Sequence, residues 1–380
     1  MIQIAGVIMC SPRGGGAVGP GAYAACRGTP STVVLEGPMA RKSTRPTVAT
    51  IARDLGISAA TVSYALNGKP GVGPALRARI EEHAREVGWT PHSGARALRQ
   101  GHSGNVGLVM VRDPQERSRE PFYAAVTAGI ESATSARERE LLIRFVEGGA
   151  PEEIDVFRAW SHQRRVDGVV LLDMQVDDPR PTELASLGMP FSVLGAYTGS
   201  EDFVNVLRSE TDDARTVLEH LQGCGYDGVI QLVGPTAFQH ERRRLDLIGA
   251  LCSERGLPHA HVSGAYSIEF GGEALARSSL EISARPAVIA SSDLIAVGAL
   301  RAARTRGVAI PEDLGLVSWD DSLIAQVASP SLTALSRDAF GMGRYAGDLL
   351  LEHLDGKVPT GTVLRTGPAE LVQRESTLPL

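Results

Sequence analysis

Only four cysteines occur in 380 residues (Cys10, Cys26, Cys224, Cys252), at no metal-binding or redox spacing and with no C-x-x-C. That excludes a disulfide scaffold and fits a reduced, cytoplasmic chain. No apolar run approaches the roughly 18 residues needed to cross a bilayer, so no membrane partner is expected. The sequence lacks a P-loop, a G-x-S-x-G, an H-E-x-x-H and any clustered Cys/His set, and its nine histidines are scattered. Enzyme activity, a cofactor and a catalytic metal are therefore not expected. Positive charge is short as well: 38 Lys and Arg stand against 44 Asp and Glu, a net charge of −6. Taken alone, that balance argues weakly against nucleic acid. Hydrophobic residues at 43% and charged residues at 22% are ordinary for a folded protein, which excludes a disordered or collagen-like chain.

The charge is unevenly divided. Residues 40–104 carry ten basic side chains and only four acidic ones (Asp54, Glu81, Glu82, Glu86), a balance of +6. Residues 1–39 add +1, which leaves 105–380 at −13. A small basic head on a large acidic body is the pattern of a nucleic-acid module joined to a part that does not touch nucleic acid.

The first 43 residues read as a Gly/Ala/Pro-rich disordered extension. Ile2 to Met9 is apolar but too short for a signal segment and has no preceding positive charge. Gly14-Gly15-Gly16-Ala17-Val18-Gly19 spells G-x-G-x-x-G, but Pro20 and Gly21 follow where a helix should open, so no dinucleotide site is expected. Met39-Ala40-Arg41-Lys42 looks like a natural start, and the extension is expected to be a mis-assigned one.

Residues 44–91 read as a three-helix head. Val48, Ile51, Ala52 and Leu55 fall on one helical stripe, Gly56 breaks it, and Ile57 plugs the gap between two helices. Ser58 caps a second helix reaching Leu66, with Val62 and Leu66 inward. Pro74 opens a third, whose inner residues are Leu76, Ile80, Ala84 and Val87. Two short helices joined by a tight glycine turn form a helix-turn-helix. The outward face of the second carries Ala59, Ala60, Thr61, Ser63 and Tyr64. Small and hydroxyl-bearing side chains let a helix approach base edges closely, with hydroxyls for phosphates and methyls for thymine. Thr47, Ser58 and Asn67, at the helix ends, complete the expected DNA-contacting set.

The run from Ala52 to Asn67 spells A-x-x-L-G-I-S-x-x-T-V-S-x-x-L-N, and Trp89-Thr90-Pro91-His92 leads on to Ala95 and Leu98. This pattern resembles the LacI/GalR family of bacterial transcription regulators, and the likeness extends to about Leu371. The resemblance implies a hinge over 92–104 that folds on operator DNA. Leu98 would be the wedge opening a minor-groove base step, with Ala95 and His92 beside it and His92 replacing a common Asn. It also implies a two-lobed body built like a periplasmic sugar-binding protein.

Residues 105–380 support such an α/β body directly. Apolar strand-like runs at 106–111, 141–145, 166–172, 191–194, 229–233, 287–291 and 314–319 alternate with helical stretches, which indicates parallel βαβ units. The last fifty or so residues are expected to cross back to the first lobe. Ligands in open α/β sheets sit beyond the carboxyl ends of strands. Those ends offer Asp173, Asp293 and Asp320, and Phe122 opens the first helix. Carboxylates, an arginine and aromatic platforms suit a sugar or polyol, although an Asp at a strand end also commonly caps the next helix. The resemblance adds Arg244 as an effector-binding arginine, with Leu247-Ile248 replacing its usual Gly-aromatic. It adds Trp319 ahead of the ligand-contacting Asp320, and Tyr266 near a stacking position. Ser292 has lost a common Asn amide, Gly195-Ala196 a polar contact and Ala339 an aromatic, so the pocket would take a different sugar or another molecule.

These readings converge on a homodimeric, effector-controlled regulator, in first expectation a repressor, on a pseudo-palindromic operator. No heptad run follows Leu371, so a tetramer is not expected. The alternative is a solute-binding protein of a transporter, which would share the body but not the head.

Overall fold

The computed structural model describes residues 46–89, 102–111, 121–195 and 203–378. The extension and the hinge candidates His92, Ala95 and Leu98 lie outside them. Two compact units divide at Thr90 and Pro91.

The first unit is the three-helix head. Helix α1 (Val48–Leu55) starts at a reciprocal cap in which Thr47 and Thr50 bond each other's backbone, and ends at Gly56 with φ +68°. Ser58 caps α2 (Ala59–Leu66), accepting from the Thr61 N–H at 3.0 Å. Pro74 is the first residue of α3 (Pro74–Glu86). Ile51, Ala52, Val62, Ala65, Ile80 and Ala84 are buried together, ringed by Leu55, Ile57, Leu76, Val87 and Trp89. Ala65 belongs to this inner face beside Val62, while Leu66 is only partly buried.

The second unit contains two six-stranded sheets. The first runs β2 (Glu140–Val146), β1 (Asn105–Val111), β3 (Gly168–Leu171), β4 (Phe191–Leu194), β5 (Val204–Arg208) and β11 (Val363–Thr366), all parallel. The second runs β7 (His259–Ser263), β6 (Gly228–Val233), β8 (Pro286–Ala290), β9 (Gly315–Ser318), β10 (Thr333–Ser336) and β12 (Glu370–Val372), with only β12 antiparallel. Central strands such as β3 and β8 are buried on both faces, which is why they read as unbroken apolar runs.

Helices cover both faces of each sheet. In the first lobe α4 (Pro121–Ser135) and α12 (Ala339–Leu354) pack on one face, with α5 (Ala150–His162) and α6 (Arg180–Ser186) on the other. In the second, α7 (Glu210–Gly223) and α8 (Gln239–Glu254) oppose α9 (Ile268–Arg277), α10 (Asp293–Thr305) and the short α11 (Leu323–Val327). Each lobe has a close helix pair. A Cβ on Gly129 of α4 would sit 2.0 Å from the Phe340 carbonyl oxygen, and one on Gly343 of α12 would sit 2.1 Å from that of Val126. Gly271 of α9 and Gly298 of α10 repeat this arrangement against Ile295 and Ile268.

The chain passes between the lobes three times, after β5, after β10 and after β11. The expected return of the last fifty residues to the first lobe is therefore half the path: α12 and β11 do return, but β12 and the residues after it rejoin the second sheet, where the Leu316 N–H donates to the Ser376 carbonyl.

Candidate functional site

The second helix of the head presents a polar face. Ala59, Ala60 and Tyr64 of α2 are exposed, and Thr61, Ser63 and Asn67 are half-buried beside them. The side-chain amide of Asn67 donates to the Ser63 hydroxyl at 3.1 Å, and the Lys69 ammonium lies 5.4 Å from the centre of the Tyr64 ring. Thr47 and Ser58 place hydroxyls at the N-termini of α1 and α2, where unpaired backbone N–H groups favour a phosphate. Ala65, buried behind this face, keeps α2 pressed to the core. The result is a shallow surface without carboxylates on α2.

In the body, Phe122, Asp173, Arg244, Tyr266, Asp293, Trp319 and Asp320 all line one cleft, with about 970 Å³ of atom-free space, mouth included. They meet there because the carboxyl ends of β3, β8 and β9 all open onto it, while α4 delivers Phe122 and α8 delivers Arg244. The capping alternative resolves within the structure. Ser292, not Asp293, caps α10, accepting from the Ile295 N–H at 3.3 Å. Asp293 instead takes a short hydrogen bond from the Ser322 hydroxyl. Burial, reinforced by the neighbouring Asp320, pushes its carboxyl up to about 6.

Several lining residues were not legible in the sequence. Tyr123 donates to Asp173 at 2.6 Å. Arg337, directly after β10, binds Asp320, its Nε at 3.1 Å, and stacks its guanidinium 4.5 Å over the Phe122 ring. Glu241 is fully buried and accepts four hydrogen bonds. Arg244 Nη1 (2.6 Å) and the Tyr266 hydroxyl (2.8 Å) reach one oxygen; the Ser291 hydroxyl (2.6 Å) and the Gly234 N–H (2.9 Å) reach the other. Burial alone would push this carboxyl up, but Arg244, His240 and the hydroxyl donors hold it below the usual range. His240 Nε2 lies 2.9 Å from the Tyr266 oxygen, and burial lowers its pKa. Arg244 also lies 4.7 Å over the buried Trp319 ring. The one sequence signal for Glu241 was its place three residues before Arg244, on the same helical face.

Two further groups hold the lobes. Arg180, buried, donates to Asp178 (2.6 Å), Glu153 (2.9 Å) and the carbonyls of Leu172 (3.1 Å) and Asp173 (2.9 Å). It thereby fixes the loop that carries Asp173 at φ +52°. That loop reaches the other lobe: the Val176 N–H donates to Ala237 at 3.0 Å and the Gln239 N–H to Met174 at 2.7 Å. At the crossings, Asp213 accepts from Arg208 Nε at 2.8 Å and from the Ala369 N–H at 2.6 Å, while Arg208 Nη1 donates to the Arg337 carbonyl at 3.1 Å. One buried carboxylate and one arginine thus tie all three crossings together.

Residues 47–92 match the model of the bacterial regulatory proteins of the lacI family, and 218–377 match that of a periplasmic binding protein-like domain. The HTH-type transcriptional regulator CelR of Thermobifida fusca is 30% identical over 341 residues, covering 87% of this chain and 98% of that protein. The HTH-type transcriptional repressor CytR of Escherichia coli strain K12 is 27% identical, covering 89% and 98%. Among solved structures, a CelR–cellobiose complex shares 28% identity with a TM-score of 0.66, covering 87% of this chain and all of that one. The fold is also that of a lac repressor dimer bound to operator, with TM-score 0.77 at 23% identity, covering 88% and all of that chain. Head, sheets and relatives agree over nearly the full length of those proteins, and the chain belongs to the LacI family of bacterial regulatory proteins.

Proposed function

We propose that the protein is an effector-controlled transcriptional repressor. It binds a pseudo-palindromic operator as a homodimer in the cytoplasm and takes a sugar or related polyol in the cleft. The observation that carries this reading is the convergence of seven candidate residues on one cleft in a chain that also bears a helix-turn-helix face. A solved structure of CelR, its relative, is a complex with cellobiose, which supports a carbohydrate effector. A transporter's solute-binding protein would share the body, but the relatives carry this head and are named as regulators. An effector controls DNA affinity only through its differential affinity for two arrangements of the body. The three crossings and the 174–176 to 237–239 contact are the parts that would distinguish them.

The test is a fluorescence-anisotropy titration against DNA from upstream of its own gene, at several salt concentrations, with and without candidate sugars. Expected are tight, salt-sensitive binding that prefers this DNA to random sequence, and release by at least one sugar. A salt-independent response with no sequence preference refutes the reading. Leu98→Ala is expected to weaken operator binding far more than random-sequence binding, as a wedge role requires; equal losses contradict it.

A further inference from the structure

Among the described residues, each guanidinium on the cleft wall is engaged by a carboxylate of the same wall. Arg208 meets Asp213 at 2.8 Å, Arg244 meets Glu241 at 2.6 Å, and Arg337 meets Asp320 through Nε at 3.1 Å. The described lining holds six carboxylates and three arginines. Glu241 is the decisive member. It consumes the two groups best placed to grip an acceptor on a ligand, the Arg244 guanidinium and the Tyr266 hydroxyl, and both of its oxygens are saturated by donors from four different segments.

We propose that Glu241 sets the chemical class of the effector: by occupying Arg244 and Tyr266 from within, it restricts the cleft to uncharged polyols and rejects sugar phosphates and sugar acids. This rests on the cleft being the effector site. A resident carboxylate stands where an anionic group would otherwise bind, and an incoming phosphate would have to lie against Glu241 and compete with it for Arg244 in a water-poor site. Discrimination of this kind works by repulsion, with no new contact to the favoured ligand. Arg244 still has a buried Nε–H without an acceptor, a donor suited to a hydroxyl oxygen.

The test uses the full-length protein and matched pairs: ribose against ribose phosphate, glucose against glucuronate, and cellobiose against its monophosphate. Binding is followed by calorimetry and thermal shift. In each pair whose neutral member binds, the anion is expected to bind at least about tenfold more weakly, as like-charge contact in a desolvated site demands. In Glu241→Gln, which frees the Arg244 charge, that gap is expected to shrink by about tenfold or more, mainly through tighter anion binding. Anions that bind the wild type as well as or better than their neutral partners overturn the proposal and leave the effector site standing. Failure of every sugar, neutral and anionic, to bind overturns the effector-site reading and this inference with it. Should Glu241→Gln not fold, the wild-type order of each pair decides alone.

Discussion

Asp293 is costly to the folded protein at neutral pH. It is 3% exposed, and its carboxyl is raised from 3.8 to about 6, first by burial and then by Asp320. Between those two values the native state holds a proton that the unfolded chain has released, so stability falls as pH rises through the window and stays lower above it. The linkage amounts to roughly 2–3 kcal/mol. Asp293→Asn is therefore expected to raise stability by about 2 kcal/mol at pH 7 and by almost nothing near pH 4, read from denaturant midpoints at the two pH values. The same substitution is expected to weaken effector binding. A gain equal at both pH values would show that the carboxylate charge is not the cause. At this scale, strand ends made Asp173, Asp293 and Asp320 legible, because a carboxylate just past an apolar run stands out in a sequence. Glu241, His240 and Arg337 were not. They owe their place to the second lobe's fold, and charged residues at the start of a helix or after a short strand carry no such mark.

Among the elements, the two glycine-lined helix pairs are the most sensitive. Gly343 of α12 meets the α4 backbone where no Cβ fits, and Gly271 of α9 meets α10 likewise. Gly343→Ala and Gly271→Ala are each expected to cost about 2–3 kcal/mol, because the crowding lies against backbone that cannot rotate away. Gly56→Ala is a different case: no atom lies within 4 Å of its Cβ position, so only the left-handed φ of +68° is penalised, at roughly 1 kcal/mol. Thermal unfolding of the three variants should rank them in that order. The sequence announced the head helices, α4, α5, α7, α8 and α10 and the apolar strands β1–β4, β6, β8 and β9, but not α9 or the sixteen-residue α12. It was silent on β5, β7, β10, β11 and β12, which are short, at a sheet edge or interrupted by polar residues. Val363 and Leu364 of β11 and Ala260 and His261 of β7 face solvent, so those segments never show the continuous apolar run of a strand buried on both faces.

For the whole molecule, the junction of the lobes depends on Asp213. Removing it leaves Arg208 largely buried without its partner and the Ala369 N–H without an acceptor. Asp213→Ala is expected to cost about 3–5 kcal/mol. It is also expected to separate the unfolding of the two lobes, so that Trp160 in the first and Trp319 in the second report different midpoints in single-tryptophan variants, where the parent shows one. Coincident midpoints would place the coupling elsewhere. None of this was visible beforehand, since the three crossings depend on pairings such as Thr366 with Arg208 that lie far apart in sequence. The charge split, in contrast, was plain from counting, and the head it marked is a separate compact unit.

The triple passage also bears on how the protein is made. Neither lobe is one stretch of chain: the first sheet closes only when β11 arrives, and its helical layer only with α12, which begins at Ala339. The described core of the head is built from residues between Val48 and Trp89. As the polypeptide leaves the ribosome, the head can fold early, whereas both halves of the body wait for the last fifty residues. A stop codon before Ala339 therefore spares the head and forfeits both lobes, with the cleft between them.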